Sequence, residues 1–590
     1  MTGNSTVTPA KAGAQGPGRH CMRLWIPAFA GMTMWMLVLL AGPAAAQTVA
    51  HFDWFEYSGK DASDTLPASP NDYRNPILKG FYPDPGITRV GNDFYLVTST
   101  FGWFPGIPVF HSRDLVHWTQ IGNAIDRPDM LDFEQLGLSR GVFAPTIEEK
   151  DGTFYILNTC VDCGWNFVIT AKNPAGPWSD PVFLPDLKYG IDPSLFFDDD
   201  GKAWIVNNDT PAGPPQYDGH RALWVQQFDT KTLKTFGPRT IVVDGGVDIA
   251  TKPVWIEGPH IFKKDGWYYL SAAEGGTGTN HSQVIFRSRS VTGPYVPGPN
   301  NPILTQRDLP EDRALPITSS GHAQLVTTPD GKWWATFLAT RPYAGDLYST
   351  GRETFLLPVE WKDGWPTVLE HGAPIPYVHA APALPRDTTP QPTAGAFAVR
   401  EEFDGKTALP LDWMMLRNPR ERWWSFDGYA LNLTARPVGL GDNGNPSFVA
   451  RRQQHINASV ETALQFYPVK DGERAGLVAL QNDDYWLFLG LKRVGGKTLV
   501  TVDQRSGPKS GKLGQTLFAD EAPQRSGSLF LRIEVEGNRY IFSYGWPSPA
   551  RNRRPPIWRT LGSIVTNDLT TSNAGGFVGS LFGVFAATGE

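Results

Sequence analysis

Three isolated acidic residues, Asp84, Asp192 and Glu257, occur at matching positions of a sequence repeat. Each lies 11 or 12 residues before the second aromatic residue of a short aromatic-rich stretch that follows a turn. The same count in two further copies of the stretch reaches Phe143 and His322. Because a repeat places equivalent residues at equivalent points of a symmetric body, we expect the three carboxyl groups and the imidazole to converge on one axis.

Carboxyl groups that converge in this way can hydrolyse a glycosidic bond. A protonated one donates to the leaving oxygen, and an ionised one activates water or attacks carbon. A third carboxylate raises the pKa of its neighbour and so keeps the first one protonated. A single acid is more often a turn residue, as we expect for Asp198, Asp199 and Asp200. His322 is a candidate ligand for calcium or water on the axis, or a core histidine.

The repeat itself predicts the architecture. The five stretches are GNDFYLV from Gly91, DGTFYIL from Asp151, DGKAWIV from Asp200, DGWYYLS from Asp265 and DGKWWATF from Asp330, with marker aromatics Tyr95, Tyr155, Trp204, Tyr269 and Trp334. Each unit contains several strand-like segments and recurs about every fifty to sixty-five residues, which is typical of a β-propeller blade. The counted positions precede the marker strand by one hairpin, so we expect them on the inner strands.

The rest of the chain predicts a second all-β domain. Residues 379–397 are rich in Pro, Ala and Thr, as in a linker. Alternating segments such as LFLRIEVEG from Leu529 and RYIFSYGW from Arg539 then indicate antiparallel strands. We therefore predict an N-terminal segment (47–74), a five-bladed β-propeller (75–378) and a C-terminal, concanavalin-like β-sandwich (398–590). The sandwich would be a packing partner, a carbohydrate-binding module or a wall of the propeller site.

Composition agrees with a globular all-β protein and limits its partners. The 590 residues are 41% hydrophobic and 12% aromatic, with 61 Gly and 51 Pro, as expected for short strands joined by tight turns. A net charge of −6 without a long basic run gives no electrostatic footprint for nucleic acid. We expect neutral partners that stack on aromatic rings.

The first 46 residues predict export. An apolar stretch that includes Met34 to Ala41 is followed by the small residues Ala44 to Ala46, which fits a secretory signal cleaved before Gln47. The residues before it are atypical, so the true start is expected at an internal methionine, Met22, Met32 or Met34. The alternative is a membrane anchor, but the run is shorter than the roughly 20 residues a span needs. We expect no membrane span in the mature protein.

The chain has three cysteines, and Cys21 lies in the leader. Cys160 and Cys163 form a C-x-x-C motif in TCVDCGW. In an exported chain this motif could close a small disulfide or remain as two free thiols, whereas zinc would need a second ligand pair.

Several longer strings resemble one known family. They are NPILKGFYPDPG, GIDPSLFFDDDGK, IEGPHIFKKDGWYYLSAAEGGTGTNH, SSGHAQLV and GRETFLLPVEWKDGW, with FVARRQQH and GGFVGSLFG in the second domain. They resemble the β-xylosidases and α-L-arabinofuranosidases of glycoside hydrolase family 43, from about Asn75 onward. The resemblance implies a five-bladed propeller that acts with inversion of configuration.

The resemblance also implies a role for individual residues. Asp84 would be the general base, Glu257 the general acid, and Asp192 the carboxylate that holds Glu257 and tunes its pKa. Arg352 would hydrogen-bond the sugar, with His322 beneath it. The residues implied to form the apolar walls of the sugar pocket are Phe101, Trp103, Phe143 and Phe577. Phe143 stands where many relatives carry Trp, and the loop at Cys160 differs, which leaves the leaving-group preference open.

These observations together predict an exo-acting, inverting glycoside hydrolase that releases terminal xylose from xylo-oligosaccharides. The alternatives are an α-L-arabinofuranosidase or a bifunctional enzyme on arabinoxylan. A non-catalytic sugar-binding propeller and a metal-dependent propeller hydrolase are more distant alternatives. No cofactor is required by this chemistry, although a calcium ion at His322 stays open, as does an oligomer.

Overall fold

The computed structural model describes residues 48–187, 189–310, 312–523, 527–547 and 556–589. The predicted signal sequence and its cleavage before Gln47 lie outside the described residues. Strands dominate within these ranges, and the described helices are the short Ala62–Thr65, Pro185–Leu187, Ile249–Thr251 and Thr571–Ala574. None of them is long or apolar enough to cross a membrane.

Five antiparallel sheets, here called blades 1 to 5, follow one another along the chain. Blade 1 contains Gly86–Val90, Asp93–Val97, Gly106–Ser112 and Thr119–Ile125. Blade 2 contains Thr146–Lys150, Thr153–Val161, Trp165–Ala171 and Val182–Phe183, together with the short strand Gly141–Val142. Blade 3 contains Ile191–Phe197, Ala203–Asp209, Ala222–Asp229 and Lys234–Asp244. Blade 4 contains Glu257–Lys264, Trp267–Glu274, Ser282–Ser288, Val296–Pro297 and Leu304–Thr305. Blade 5 contains Thr318–Thr327, Trp333–Thr340, Glu353–Lys362 and Trp365–Thr367.

The blades close into a ring. The first strand of each blade contacts the first strands of the blades on either side, and the first strand of blade 5 contacts that of blade 1. These first strands therefore surround a central axis, which confirms the predicted five-bladed propeller.

The marker aromatics explain why the repeat is visible in the sequence. All five lie on the second strand of their blade. Tyr95 of blade 1 packs edge-on against Phe154 of blade 2 with ring centroids 5.1 Å apart, and Tyr155 of blade 2 packs against Phe197 of blade 3 at 5.7 Å. Such aromatic pairs contribute about 0.5–1.5 kcal/mol each beyond the area they bury. The aromatic repeat therefore reflects the packing between neighbouring blades.

A two-layer sandwich follows the propeller. Its first sheet contains Trp424–Phe426, Leu431–Thr434, Val49–Gly59, Asn457–Gln465, Leu529–Glu536, Arg539–Trp546 and Ile557–Val565, with Phe397–Glu402 beside Val49–Gly59. Its second sheet contains Gln515–Glu521, Lys497–Ser506, Tyr485–Val494, Arg474–Asn482, Leu581–Ala587, Ser447–Arg452, Met414–Leu416 and Trp103–Phe104. Alternate residues of both sheets form the core between them, as the alternating segments predict. The predicted sandwich is confirmed.

Two strands of the sandwich come from outside the range 398–590. Val49–Gly59 pairs with strands on both sides inside the first sheet, so these 11 residues of the predicted N-terminal segment belong to the sandwich. Trp103–Phe104, from a loop of blade 1, pairs with Met414–Leu416 at the edge of the second sheet. Pairing over such sequence distances leaves no local pattern, which is why the sequence did not reveal it. The strands Asp72–Arg74 and Val378–Ala380 pair with each other.

Candidate active site

A cavity of about 660 Å³ is lined by all five positions of the repeat count. Asp84 and Phe143 lie just before the first strands of blades 1 and 2, and Asp192, Glu257 and His322 lie on the first strands of blades 3, 4 and 5. Equivalent positions on a closed ring face one another, so the fold brings three carboxyl groups and one imidazole together.

The backbone at these positions is unusual. Asp84, Asp192 and His322 have φ values of 54°, 54° and 52°, in the left-handed region that residues other than glycine seldom adopt. Each such residue costs of order 1 kcal/mol or more, and a strained backbone of this kind occurs preferentially at functional sites. Three strained residues at equivalent points of three blades show that the ring holds these side chains in place at the expense of stability.

Asp84 is held by three donors. Ser99 Oγ donates to Oδ2 at 2.6 Å, and Arg352 donates to both carboxylate oxygens at 3.0 and 3.3 Å. His322 Nδ1 lies 3.0 Å from Oδ1. Burial would raise the pKa of Asp84, but Arg352, His322 and Ser99 outweigh it and hold this pKa below its usual range. Asp84 is therefore ionised at neutral pH.

His322 is charged in this setting. Burial lowers the pKa of the imidazole, but the hydrogen bond to Asp84 and the charges of Asp84 and Asp192 raise it to about 9. Its Nε2 lies 4.0 Å from Asp192 Oδ2. His322 thus bridges the carboxylates of blades 1 and 3 as an imidazolium.

Glu257 has the opposite environment from Asp84. Glu257 is 8% exposed and lines the cavity, and its carboxyl has no hydrogen-bond partner among the described residues. Burial and the charge of Asp192 raise the pKa of Glu257 to about 8. Burial also raises the pKa of Asp192, which accepts a hydrogen bond from the backbone N–H of Gly258 at 3.1 Å. Glu257 is therefore protonated at neutral pH.

Gly258 links the acid strand to the imidazole. Its φ is +55°, and a Cβ added there would lie 2.2 Å from His322 Cδ2 and 2.3 Å from Nε2. Only glycine lets the ring pack this closely against the backbone that carries Glu257.

Three phenylalanines form one wall of the cavity. Phe101 and Phe577 stack with ring centroids 5.6 Å apart, and Phe143 meets both edge-on at 5.2 and 5.8 Å. The Arg352 guanidinium lies 5.7 Å from the ring centroid of Phe101 and 5.5 Å from that of Phe577. Phe577 comes from the sandwich, and its backbone N–H donates to Ser139 Oγ at 2.9 Å. The sandwich is therefore a wall of the propeller site.

Comparison with known proteins identifies the family. The model of Glycosyl hydrolases family 43 matches residues 73–366, and that of the beta xylosidase C-terminal Concanavalin A-like domain matches residues 400–590. A xylosidase/arabinosidase of Butyrivibrio fibrisolvens is 38% identical over 529 residues, which cover 87% of this chain and 95% of that protein. The chain belongs to glycoside hydrolase family 43.

Further relatives support the assignment of this hydrolase to family 43. A non-reducing end α-L-arabinofuranosidase of Bacteroides ovatus is 38% identical over 530 residues, covering 87% of this chain and 91% of its own. The crystal structure of a GH43_12 protein from a capybara gut metagenome matches with a TM-score of 0.83 and 36% identity over 91% of this chain and 99% of its own. The xylan β-1,4-xylosidase of Bacillus halodurans C-125 matches with a TM-score of 0.76 and 32% identity over 87% of this chain and 96% of its own.

The structure places one predicted site residue of the family 43 hydrolase elsewhere. Trp103 is fully buried and lies outside the cavity lining. Its strand pairs with Leu416 of the sandwich, and its indole packs near Phe448 with ring centroids 6.5 Å apart. Trp103 therefore belongs to the packing between the two domains and not to the sugar pocket. The neighbouring Phe101 does line the cavity.

Sequence reasoning missed other residues at the site. Ser99 and Gly258 contact the acids, and further cavity residues lie near its opening: Arg140, Trp165, Tyr189, Arg221 and Trp255. Ser99 could have been found by counting four residues forward from each marker aromatic. That count reaches Ser99, Thr159 and Asn208 in the first three blades, and all three are fully buried polar residues.

Metal ligation was also left open by the sequence. Within the described ranges, no group of three or more His, Cys, Asp or Glu side chains is arranged to hold a metal ion. His322 contacts Asp84 through Nδ1.

Proposed function

We propose that this family 43 hydrolase is an exo-acting, inverting β-xylosidase with Asp84 as general base, Glu257 as general acid and Asp192 as the group that tunes the Glu257 pKa. The observation that carries the proposal is the opposite protonation of two carboxyl groups in one cavity. Despite burial, Arg352 and His322 hold the pKa of Asp84 low, whereas burial and Asp192 raise that of Glu257 to about 8. An inverting glycosidase needs one carboxylate and one carboxylic acid at the same pH.

In the proposed step, Asp84 removes a proton from a water molecule as the water oxygen bonds to the anomeric carbon. On the opposite face, Glu257 gives its proton to the glycosidic oxygen as the bond from that oxygen to the anomeric carbon breaks. The leaving sugar departs neutral, Asp84 holds the proton and Glu257 is ionised, and exchange with solvent restores both groups. The step consumes water and involves no cofactor.

Asp84, which is held by three donors, fits the role of general base because its ionised form is available. A low pKa makes it a weak base, but it keeps Asp84 ionised at the mildly acidic to neutral pH at which Glu257 is protonated. Its three donors also fix the direction of its lone pairs. The cost of a weak base is offset by holding the water and the sugar in reacting position.

The aromatic wall supports an exo mode of action. Phe101 is fully buried, Phe577 is partly buried beside Arg352, and the partly buried Phe143 packs against both rings, so this side of the cavity is closed. Tyr189 and Trp255, which also line the cavity, are 62% and 37% exposed. We infer that the terminal sugar occupies the closed side and that the remaining saccharide extends toward the opening.

The sugar is proposed as xylose, with xylo-oligosaccharides or arabinoxylan fragments as substrates. A specific observation keeps α-L-arabinofuranose as the second candidate, because one relative 38% identical to this chain is named a xylosidase/arabinosidase and another, also 38% identical, a non-reducing end α-L-arabinofuranosidase. Hydrolysis of paired aryl β-xyloside and α-arabinofuranoside substrates by the purified protein distinguishes the two. A higher kcat/KM on the arabinofuranoside would contradict the xylosidase assignment.

The roles of the two acids are tested by a comparison of leaving groups. We expect Glu257→Ala to lower kcat/KM on xylobiose by about 10²–10⁴ but to retain far more activity on 2,4-dinitrophenyl xyloside, whose leaving group needs no proton. Asp84→Ala should abolish turnover of both substrates. Equal losses for Glu257→Ala on the two substrates would remove it from the acid role. The initial anomer of the released xylose, observed by NMR, tests inversion directly.

A further inference from the structure

The Cys160–Cys163 motif forms a disulfide in a turn that borders the cavity. It closes the turn between the second and third strands of blade 2, Thr153–Val161 and Trp165–Ala171. Val161 and Trp165, which flank the turn, both line the cavity. The proposed catalytic step does not use this turn.

The turn needs a restraint to keep its shape. Asp162 and Trp165 have φ values of 66° and 67°, and Gly164 between them has 120°. Left-handed backbone at residues other than glycine is strained, and such strain persists only where the surroundings enforce it. The ion pair from Asp162 to Arg140 (2.7 Å) joins two half-exposed side chains, and exposed pairs contribute little. The disulfide therefore adds a covalent restraint to the hydrogen bond that the backbone N–H of Cys163 donates to the carbonyl of Cys160 at 3.2 Å.

The turn is also coupled to the wall of the cavity. Cys160 pairs with Val142 in the strand that leads directly to Phe143. The backbone N–H of Phe143 donates to the carbonyl of Thr159 at 2.9 Å, one residue before the disulfide. A displacement of the turn therefore reaches both Trp165 at the opening and Phe143 deeper in the pocket.

The position of the turn identifies what it contacts. Trp165 is partly exposed and lies beside Tyr189, which is 62% exposed, with ring centroids 6.2 Å apart. Asp84, Arg352 and Phe101 lie on the closed side and are at most 5% exposed. In an enzyme that holds the terminal sugar at the closed side, the group that lies against Trp165 and Val161 is the leaving saccharide.

We propose that the Cys160–Cys163 disulfide determines leaving-group specificity by holding Val161 and Trp165 against the sugar that is released. This inference rests on the proposed function and deepens it. It concerns the positioning of binding residues and not the chemical step, so its effect depends on the size of the leaving group. It also fits the proposed export of the protein, because disulfides persist in oxidising compartments.

The test compares the double variant Cys160→Ser/Cys163→Ser with the parent on two substrates. Xylotriose has a leaving group that reaches the turn, whereas the leaving group of β-xylosyl fluoride is a single atom. We expect kcat/KM on xylotriose to fall about tenfold, mainly through KM, and that on the fluoride to change less than twofold. Trp165→Ala, which keeps the disulfide, should reproduce the loss on xylotriose. Lys150→Ser, on an exposed residue at the far end of blade 2, should change neither value.

Each outcome decides the inference. If the ratio of kcat/KM between the two substrates is the same in the double variant as in the parent, the inference is overturned. This holds whether neither value falls or both fall equally, and equal losses would indicate a general distortion of the pocket. Titration of two thiols in the unfolded parent would show that the disulfide is absent and would also overturn it. A parent that hydrolyses neither substrate would contradict the proposed function itself, and with it this inference.

Discussion

Replacement of Gly258 by Ala tests whether the left-handed residues and His322 act as one unit. The new methyl group would lie 2.2 Å from His322 Cδ2, where an ordinary contact is about 3.4 Å or more, so the ring or the strand must move by about 1 Å. The ring is 7% exposed and lies between Asp84 at 3.0 Å and Asp192 at 4.0 Å, so a shift into the cavity that it lines also moves it relative to both acids. The displacement must therefore change the contact with one of the two acids.

The magnitude follows from three contributions. Overpacking costs about 1–3 kcal/mol, and a Cβ in left-handed backbone costs about 1–2 kcal/mol. We therefore expect the free energy of unfolding to fall by about 2–5 kcal/mol. Loss of a hydrogen bond to a charged group costs a further ~1.5–3 kcal/mol. If this hydrogen bond is lost in the transition state, kcat/KM decreases by about 10–100-fold.

The matched control is Gly266→Ala in the same blade. Gly266 has φ +72°, but the nearest atom to an added Cβ is Arg289 NH1 at an ordinary 3.5 Å. This variant carries the backbone strain without the clash, so it should lose about 1 kcal/mol of stability and keep its activity. Thermal unfolding and kcat/KM on an aryl xyloside measure both quantities. A Gly258→Ala variant as active as Gly266→Ala would refute the reasoning, since it would show that the imidazole position does not matter.

Two further predictions concern proton affinities and the clamp on Asp84. The kcat/KM of the parent should fall above about pH 8 as Glu257 deprotonates. Asp192→Asn should move this alkaline limb to lower pH, because the Asp192 charge raises the Glu257 pKa. An alkaline limb at the same pH in the variant would contradict the tuning role of Asp192. Arg352→Lys replaces the two-point contact with Asp84 by a single contact. We expect about a hundredfold lower kcat and a higher Asp84 pKa, seen as an acidic limb at higher pH. An unchanged pH profile with unchanged kcat would exclude a role for the Arg352 contact with Asp84.

The propeller could be predicted because blade packing repeats the same local pattern five times. The aromatic residues of the second strands recur because each blade must pack against the next, as Tyr95 does against Phe154. Counting back 11 or 12 residues from these aromatic residues gave a residue of the cavity lining in every blade. Symmetry thus converted a local pattern into a three-dimensional prediction.

The features that the sequence did not reveal depend on contacts without a repeat. Trp103 lies two residues after Phe101 in the same loop, yet one side chain lines the cavity and the other packs under the sandwich. Residues two apart on an extended segment share a face, but Phe101 has a φ of 51°, so the chain turns there and the alternation does not hold. The disulfide turn and the opening residues occur once each, so no comparison between blades could identify them.

The contribution of the sandwich to the site also explains why two glycines meet at the domain boundary. Gly351 has φ +75°, and an added Cβ would lie 2.9 Å from Gly579 Cα; a Cβ on Gly579 would lie 2.8 Å from Gly351 N. Beside them, the backbone N–H of Ser580 donates to the carbonyl of Ser349 at 2.8 Å. Each segment thus approaches the other backbone to backbone.

These two segments carry Arg352 and Phe577, one residue and two residues from the paired glycines. The close approach therefore sets the 5.5 Å distance between the guanidinium and the aromatic ring over the sugar pocket. A larger residue at either glycine would separate the propeller from the sandwich at the point where both contribute to one wall. The second domain is therefore part of the pocket, because its position relative to the propeller is fixed by backbone contact beside the residue that clamps Asp84.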